Sequence, residues 1–199
     1  MLRIRRLQDF EDSDLSREGV AEVVLINAHD GSAAYHLRAG YFRYICTNGL
    51  MVGNVLAGFK VRHTVGIQTS KEVLAAGEKV VTDTFPVMLD SIQRFKGIVL
   101  GTDQKIRLAE KALTLRFGSY MPKFPATDLL KHRRSEDEGS TLWTMLNVIQ
   151  ENVINGGWET TTFGTGRRSE VRPIERVTSL AMINAGIWDE AEAISREQE

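Results

Sequence analysis

Residues 23–64 read VVLINAHDGSAAYHLRAGYFRYICTNGLMVGNVLAGFKVRHT. The stretch holds three of the four histidines and the sole cysteine, set among apolar runs. Buried polar groups are costly unless they are satisfied, so their placement here carries more information than a surface charge run does. Val20 to Ile26 is a continuous apolar run broken only by Glu22, the pattern of a strand buried on both faces. Asp30-Gly31 is a hairpin turn signal, because glycine accepts positive φ. Ala34 to Arg38 is expected as the returning strand. Tyr41 to Cys46 is expected as a third strand, ended by the turn pair Asn48-Gly49. Leu50 to Val52 continues this β region, and Phe59 to Thr64 reads as a further strand. Upstream, Leu2 and Ile4 alternate with Arg3 and Arg5 at the period of a half-buried strand. A strand at the first residues suggests a chain shortened relative to a longer ancestor.

Beyond residue 66 the period changes to that of helices. Thr69-Ser-Lys-Glu72 is a capping-box pattern. Behind it Val73, Gly77, Val80, Val81, Phe85, Met88, Leu89, Ile92 and Phe95 keep helical spacing, with Pro86 expected to kink or split the helix. Thr102 or Asp103 caps a second helix carrying Ile106, Ala109, Leu113 and Phe117. Ser140 caps a third carrying Leu142, Leu146, Ile149 and Val153, which Gly156-Gly157 stops. Pro173 opens a fourth, and Gly186 is expected to divide it from a short helix with Trp188, Ala191 and Ile194. Strands first and helices afterwards predict an α+β fold: an N-terminal antiparallel β-meander with C-terminal helices packed on one face of the sheet. The expected organisation is a single α+β domain over 1–199. It is mostly β over 1–66, helical over 69–155, a mobile loop over 157–172 and C-terminal helices over 173–197.

The chain has 199 residues, 42% hydrophobic and 26% charged, with a formal net charge of −1. These values fit a soluble globular protein with a core of useful size, and they give no global basic signature for nucleic acid. One cysteine makes no internal disulfide, as expected of a cytoplasmic protein. No apolar run approaches the ~20 residues that span a bilayer.

Four constellations carry candidate chemistry. In Asn27-Ala-His29-Asp30-Gly31, the aspartate and glycine form the turn with Asn27 beside it. His29, with an ordinary pKa near ~6.5, suits a general base or a ligand. His29, Asp30 and His63 are therefore the catalytic candidates. No pair of histidines shows H-x-H or H-x₃-H spacing, so no metal centre and no cofactor is assigned. In Cys46-Thr-Asn48-Gly49 the cysteine shares strand parity with Phe42 and Tyr44. It reads as core, with Asn48 and Gly49 as turn formers. The third constellation is the basic residues of the strands. Arg3 and Arg5, His36 and Arg38, Arg43, and Lys60 and Arg62 alternate with mostly apolar neighbours. Where the registers agree, one sheet face is basic and the other is core. Such a face suits a phosphate backbone, with Tyr41 available for stacking. The alternative is a solvated face whose long side chains cover apolar surface. The fourth comprises Lys131-His132-Arg133-Arg134, which Glu136-Asp137-Glu138 follows and local ion pairing explains, and Arg167-Arg168. The latter pair sits in a Gly-rich loop suited to clamping phosphate on binding.

Residues 25–53, LINAHDGSAAYHLRAGYFRYICTNGLMVG, followed by KVRHT (60–64), resemble the signature of domain-of-unknown-function family 932, of prophage and plasmid type. The matching positions are Asn27, His29, Asp30, Gly31, Ser32, Phe42, Arg43, Cys46, Asn48, Gly49, Leu50, Arg62 and His63. Ala28 and Ala33 replace the usual serines, so neither hydroxyl is essential. LWTMLNVIQENVINGG (142–157) is similar to the later part of prophage members. The resemblance implies a protein of mobile elements, which favours nucleic acid as partner. A β-meander with a basic face is also compatible with single-strand annealing proteins. The expectation is a non-enzymatic DNA-binding protein, binding or annealing single strands in recombination, oligomeric and without a membrane partner. Arg38, Arg43, Lys60, Arg62, Arg167 and Arg168 would contact phosphates. Two alternatives stay open: a His/Asp-dependent hydrolase or nuclease, and a protein-binding inhibitor of a host defence system.

Overall fold

The computed structural model of the chain describes residues 2–5, 18–26, 35–44, 50–51, 59–61, 67–119, 124–161 and 166–198. Its described elements are strands followed mainly by helices, the α+β class expected from the sequence. The chain divides into two compact units, Met1–Asp90 and Ser91–Glu199.

The first unit is built on an antiparallel sheet. Strands β1 (Leu2–Arg5), β2 (Gly19–Ile26) and β3 (Tyr35–Arg43) form a meander. The short strands β4 (Leu50–Met51) and β5 (Phe59–Val61) both pair with β3. The two runs expected at 34–38 and 41–46 are one strand. Its register with β2 continues without interruption from Ile26↔His36 to Gly19↔Arg43. Gly40 looks like a break in sequence, but it sits opposite Glu22 in the ladder and the strand passes straight through it. Parity therefore carries across residue 40, with consequences for Arg43 described below.

Behind the sheet runs a helix, α1 (Ile67–Lys79). It starts two residues before the expected capping box, so Thr69 and Glu72 lie inside it. A π turn (Val80–Thr84) joins it to α2 (Phe85–Gly97), within which the boundary between the units falls. In that turn the Phe85 N–H donates to the Val80 carbonyl, one residue wider than an α-helical bond. Pro86 lacks an N–H, and its ring would clash with the carbonyl four residues back in a regular helix. The wider turn relieves that conflict. Val73, Gly77 and Val81 face Val23, Leu25 and Leu37 of the sheet across an apolar cavity of about 490 Å³.

The second unit centres on α4 (Leu142–Asn155), which follows α3 (Thr102–Phe117). From Leu142 to Ile154, α4 is buried all round except at Thr144, as expected of a helix enclosed on every side. Leu108, Ala112 and Leu113 of α3 are fully buried, as are Ile183, Ile187, Trp188 and Ile194 of α5 (Val177–Arg196). Trp188 packs against Phe95 with ring centroids 5.1 Å apart. The N-cap of α4 is Thr141, not Ser140: its hydroxyl accepts the Thr144 N–H at 3.2 Å. Gly156 ends the helix as expected. Helix α3 is capped at Gly101, whose N–H donates to the Gln104 side chain at 3.0 Å, rather than at Thr102 or Asp103. Two expectations change further on. Helix α5 begins at Val177 and runs unbroken through Gly186, which serves contact instead of termination. A Cβ there would lie 2.6 and 2.7 Å from the Leu115 methyl carbons, so glycine lets Leu115 of α3 approach. The stretch 157–172, expected as a loop, contains the antiparallel pair β6 (Glu159–Thr161) and β7 (Arg168–Glu170).

Candidate functional site

The sheet registers bring the strand cations into rows. Arg3 pairs with Val24 and Val24 with Arg38, which makes one row across β1, β2 and β3. Ile26, His36 and Lys60 make the next, and Arg5, Glu22, Gly40 and Met51 the one on the other side. Residues opposite one another in a ladder share a face. Arg3, Arg5, His36, Arg38 and Lys60 thus occupy positions of one parity on three strands, β1, β3 and β5, with Glu22 as the only acid in those rows. The face is not bare: Val24 and Glu22 are buried. Arg38 beside them is partly buried, and burial pulls its guanidinium below the ordinary arginine range. Its Nε and Nη1 are shielded from solvent and hydrogen-bond to nothing among the described residues.

Arg43 departs from the expected face. Because β3 is continuous, Arg43 has the parity of Leu37, Ala39 and Tyr41, which are all buried. It is itself buried and forms an ion pair with Glu18 at 3.3 Å. Arg43 is therefore a structural partner of Glu18 and not a phosphate contact. Tyr41, expected as a stacking ring, is also in the core. Burial pushes its phenol well above the ordinary value, and the Glu18 charge adds to this while Arg43 opposes it. A tyrosine in the unfolded chain titrates near about 10. The folded state holds the proton more tightly, so this contribution to stability is complete below about pH 10 and is lost as pH rises further. Urea unfolding midpoints measured between about pH 9 and 11 should fall more steeply for the protein than for Tyr41→Phe. Equal slopes would exclude a buried phenol.

Lys60 lies in β5, opposite His36. Arg167 and Arg168 are exposed, and Arg168 pairs with Thr161 in the β6–β7 ladder. The remaining candidates, Asn27, His29, Asp30, Gly31, Cys46, Asn48, Gly49, Arg62 and His63, lie outside the described residues. Among the described residues no group of three His, Cys, Asp or Glu side chains converges as a metal site. No described helix is long and apolar enough to cross a membrane.

The second unit holds a cleft that the sequence reading did not anticipate. It encloses about 320 Å³ between the Lys131–Arg133 segment, Phe124, Asn152, Trp158 and Glu159. Its foundation is the polar end of α4. The Asn152 amide donates to the carbonyls of Leu129 (2.9 Å) and Lys131 (2.8 Å), and its oxygen accepts from Arg133 Nε at 2.6 Å. Arg133 also donates to the Gly156 carbonyl. Trp158 Nε1 donates to the Asn152 carbonyl at 3.1 Å, and its ring stacks on Phe124 with centroids 3.9 Å apart. Arg134 reaches the buried Glu151 at 2.5 Å and lies 3.9 Å from Asp137. The expected local pairing of the 131–134 cluster thus holds for Arg134 with Asp137 and for His132 with Glu138 (3.7 Å). The shortest contacts of Arg133 and Arg134, however, are to α4. The available signal was the polar run Gln150-Glu151-Asn152 inside a mainly apolar helix.

Comparison with known proteins agrees with the signature in residues 25–64. The family model described as Domain of unknown function (DUF932) matches residues 6–185. The UPF0380 protein YafZ of Escherichia coli (strain K12) is 32% identical over 194 residues, covering 98% of this chain and 68% of that protein. The UPF0380 protein YfjQ of the same strain is 31% identical with the same coverage. No solved structure matches. The family match covers most of both units, and the chain belongs to the DUF932 family.

Proposed function

We propose that the protein is a DNA-binding protein of a mobile element, acting on single strands as a homo-oligomer. The observation that supports this best is the common parity of Arg3, Arg5, His36, Arg38 and Lys60 across β1, β3 and β5. Cations two residues apart along a strand lie roughly 6.8 Å apart, and neighbouring strands about 4.8 Å. Rows of this kind oppose a flexible polyanion at several points at once. Arg38 adds a specific argument. Nε and Nη1 are shielded, but a phosphate at the remaining accessible edge of this partly desolvated guanidinium would be held more tightly than by a solvated lysine. Arg167 and Arg168, both exposed, would add phosphate contacts on the second unit. The mobile-element setting rests on the family resemblance alone. The hydrolase reading depends on His29, Asp30 and His63, and the inhibitor reading on a partner surface; no observation favours either.

The test is fluorescence anisotropy of labelled single- and double-stranded oligonucleotides at low salt and upward. Binding should favour the single strand, weaken as salt rises, and weaken in Arg38→Ala. Absence of binding to either oligonucleotide at low salt would end the proposal.

A further inference from the structure

The cleft of the second unit joins features that a single ligand class uses together. One wall is aromatic: Trp158 is fixed by its hydrogen bond to Asn152 and by stacking on Phe124. The rim carries cations. Arg133 is anchored through Nε and Nη2, which leaves Nη1 without a partner among the described residues. Lys131 and His132 beside it are largely exposed; Lys131 pairs with Asp128 at 2.6 Å and His132 lies 3.7 Å from Glu138, surface contacts that a phosphate would exchange for its own. Two acids also line the cleft: Asp128, paired with Lys131, and Glu159, whose side chain makes no hydrogen bond among the described residues. An inorganic anion would leave the rings unused, and an apolar side chain would leave the cations unused. A planar ring bearing both an amino group and a phosphate would use all three. The volume is at the lower end of the range for small-molecule pockets, enough for one such unit.

We propose that this cleft seats one nucleotide, with its base against the Phe124–Trp158 wall and its phosphate on Arg133 Nη1, Lys131 and His132. Glu159 accepts a hydrogen bond from the exocyclic amine. Carboxylates accept from cytosine N4, whereas thymine offers a carbonyl at the same place. The cleft therefore prefers a cytosine to a thymine nucleotide. The inference deepens the nucleic-acid reading but rests on different residues in the other unit, so the two can fail separately. The nucleotide is either free or part of a strand.

Trp158 reports on the site. Of three tryptophans, Trp143 and Trp188 are 4% and 1% exposed, leaving Trp158 as the accessible one. The protein is excited at a wavelength where nucleotides do not absorb. It is titrated with dCMP, dTMP, inorganic phosphate and a labelled oligo-dC whose anisotropy is followed in parallel. The expected result is saturable quenching by dCMP, several-fold weaker binding of dTMP, and no quenching by phosphate. Glu159→Gln should erase the preference for dCMP, and Lys131→Ala with His132→Ala should weaken dCMP binding several-fold; both sites are on the surface. Quenching by dCMP but not by oligo-dC would identify the free nucleotide as the ligand, and quenching by both a nucleotide within a strand. Oligo-dC binding by anisotropy without any tryptophan quenching would overturn the cleft proposal and leave the sheet reading intact. Equal response to phosphate and dCMP would reduce the cleft to an anion site and also overturn the proposal. No binding of any ligand would end both.

Discussion

Gly156→Ala is expected to destabilise the second unit by roughly 3 kcal/mol or more, from strain and overpacking together. Gly156 has φ 63° and ψ −132°, a region that only glycine occupies without strain. A Cβ at this position would overlap the Val171 carbonyl oxygen and lie 2.9 Å from its carbon and 3.0 Å from the Arg172 oxygen. These are backbone atoms, and they are held in place. The Gly157 N–H donates to the same Val171 oxygen at 2.8 Å, and Arg116 donates to the Arg172 and Val153 carbonyls. The segment after β7 cannot withdraw without giving up those bonds. In thermal unfolding the change should appear as a loss of about 10 °C in Tm, since each kcal/mol moves a chain of this length by roughly 2–4 °C. A shift under about 2 °C would mean that the segment yields freely, contrary to this packing.

Asn152→Ala should cost about 3 kcal/mol, because one side chain satisfies three groups at once, two of them backbone carbonyls. The two amide hydrogens meet the Leu129 and Lys131 carbonyls, and the oxygen meets Arg133 Nε. Truncation orphans two carbonyls and leaves Arg133 held, among the described residues, by the Gly156 carbonyl alone. The control is Asn152→Asp. It keeps an acceptor for Arg133 but turns a carboxylate oxygen toward two carbonyls, so it should be about as destabilising as alanine. Were Asn152→Asp to retain full stability in urea unfolding, the Arg133 contact alone would matter and the carbonyl bonds would not.

The legible parts of the fold were those set by local pattern. Alternation in residues 2–5 and the apolar run at 20–26 identify β1 and β2, and Gly156 ends α4 at the expected residue. The departures have physical causes. Gly40 carries no side chain to show on which face it lies, so the strand was divided there. Once divided, the parity of Arg43 was free to be assigned to the wrong face. Ser140 and Thr141 are both competent caps, and only backbone geometry chooses between them. A glycine that ends a helix and one that admits a neighbour, such as Gly186 beside Leu115, look identical in sequence. The cleft was invisible because its contacts join distant segments, Arg133 to Asn152 and Phe124 to Trp158. Local ion pairing with 136–138 accounted for only some of the contacts that hold the basic cluster.

The sheet-face account stands or falls on electrostatics. Its most direct measurement is the slope of log affinity against log salt for a single-stranded oligonucleotide, compared between the protein and Arg3→Ala/Arg38→Ala/Lys60→Ala. Each phosphate contact contributes about 0.7 to that slope for single strands, so losing three should flatten it by about two. The same slope in both proteins, with both still folded, would contradict the assignment of this face.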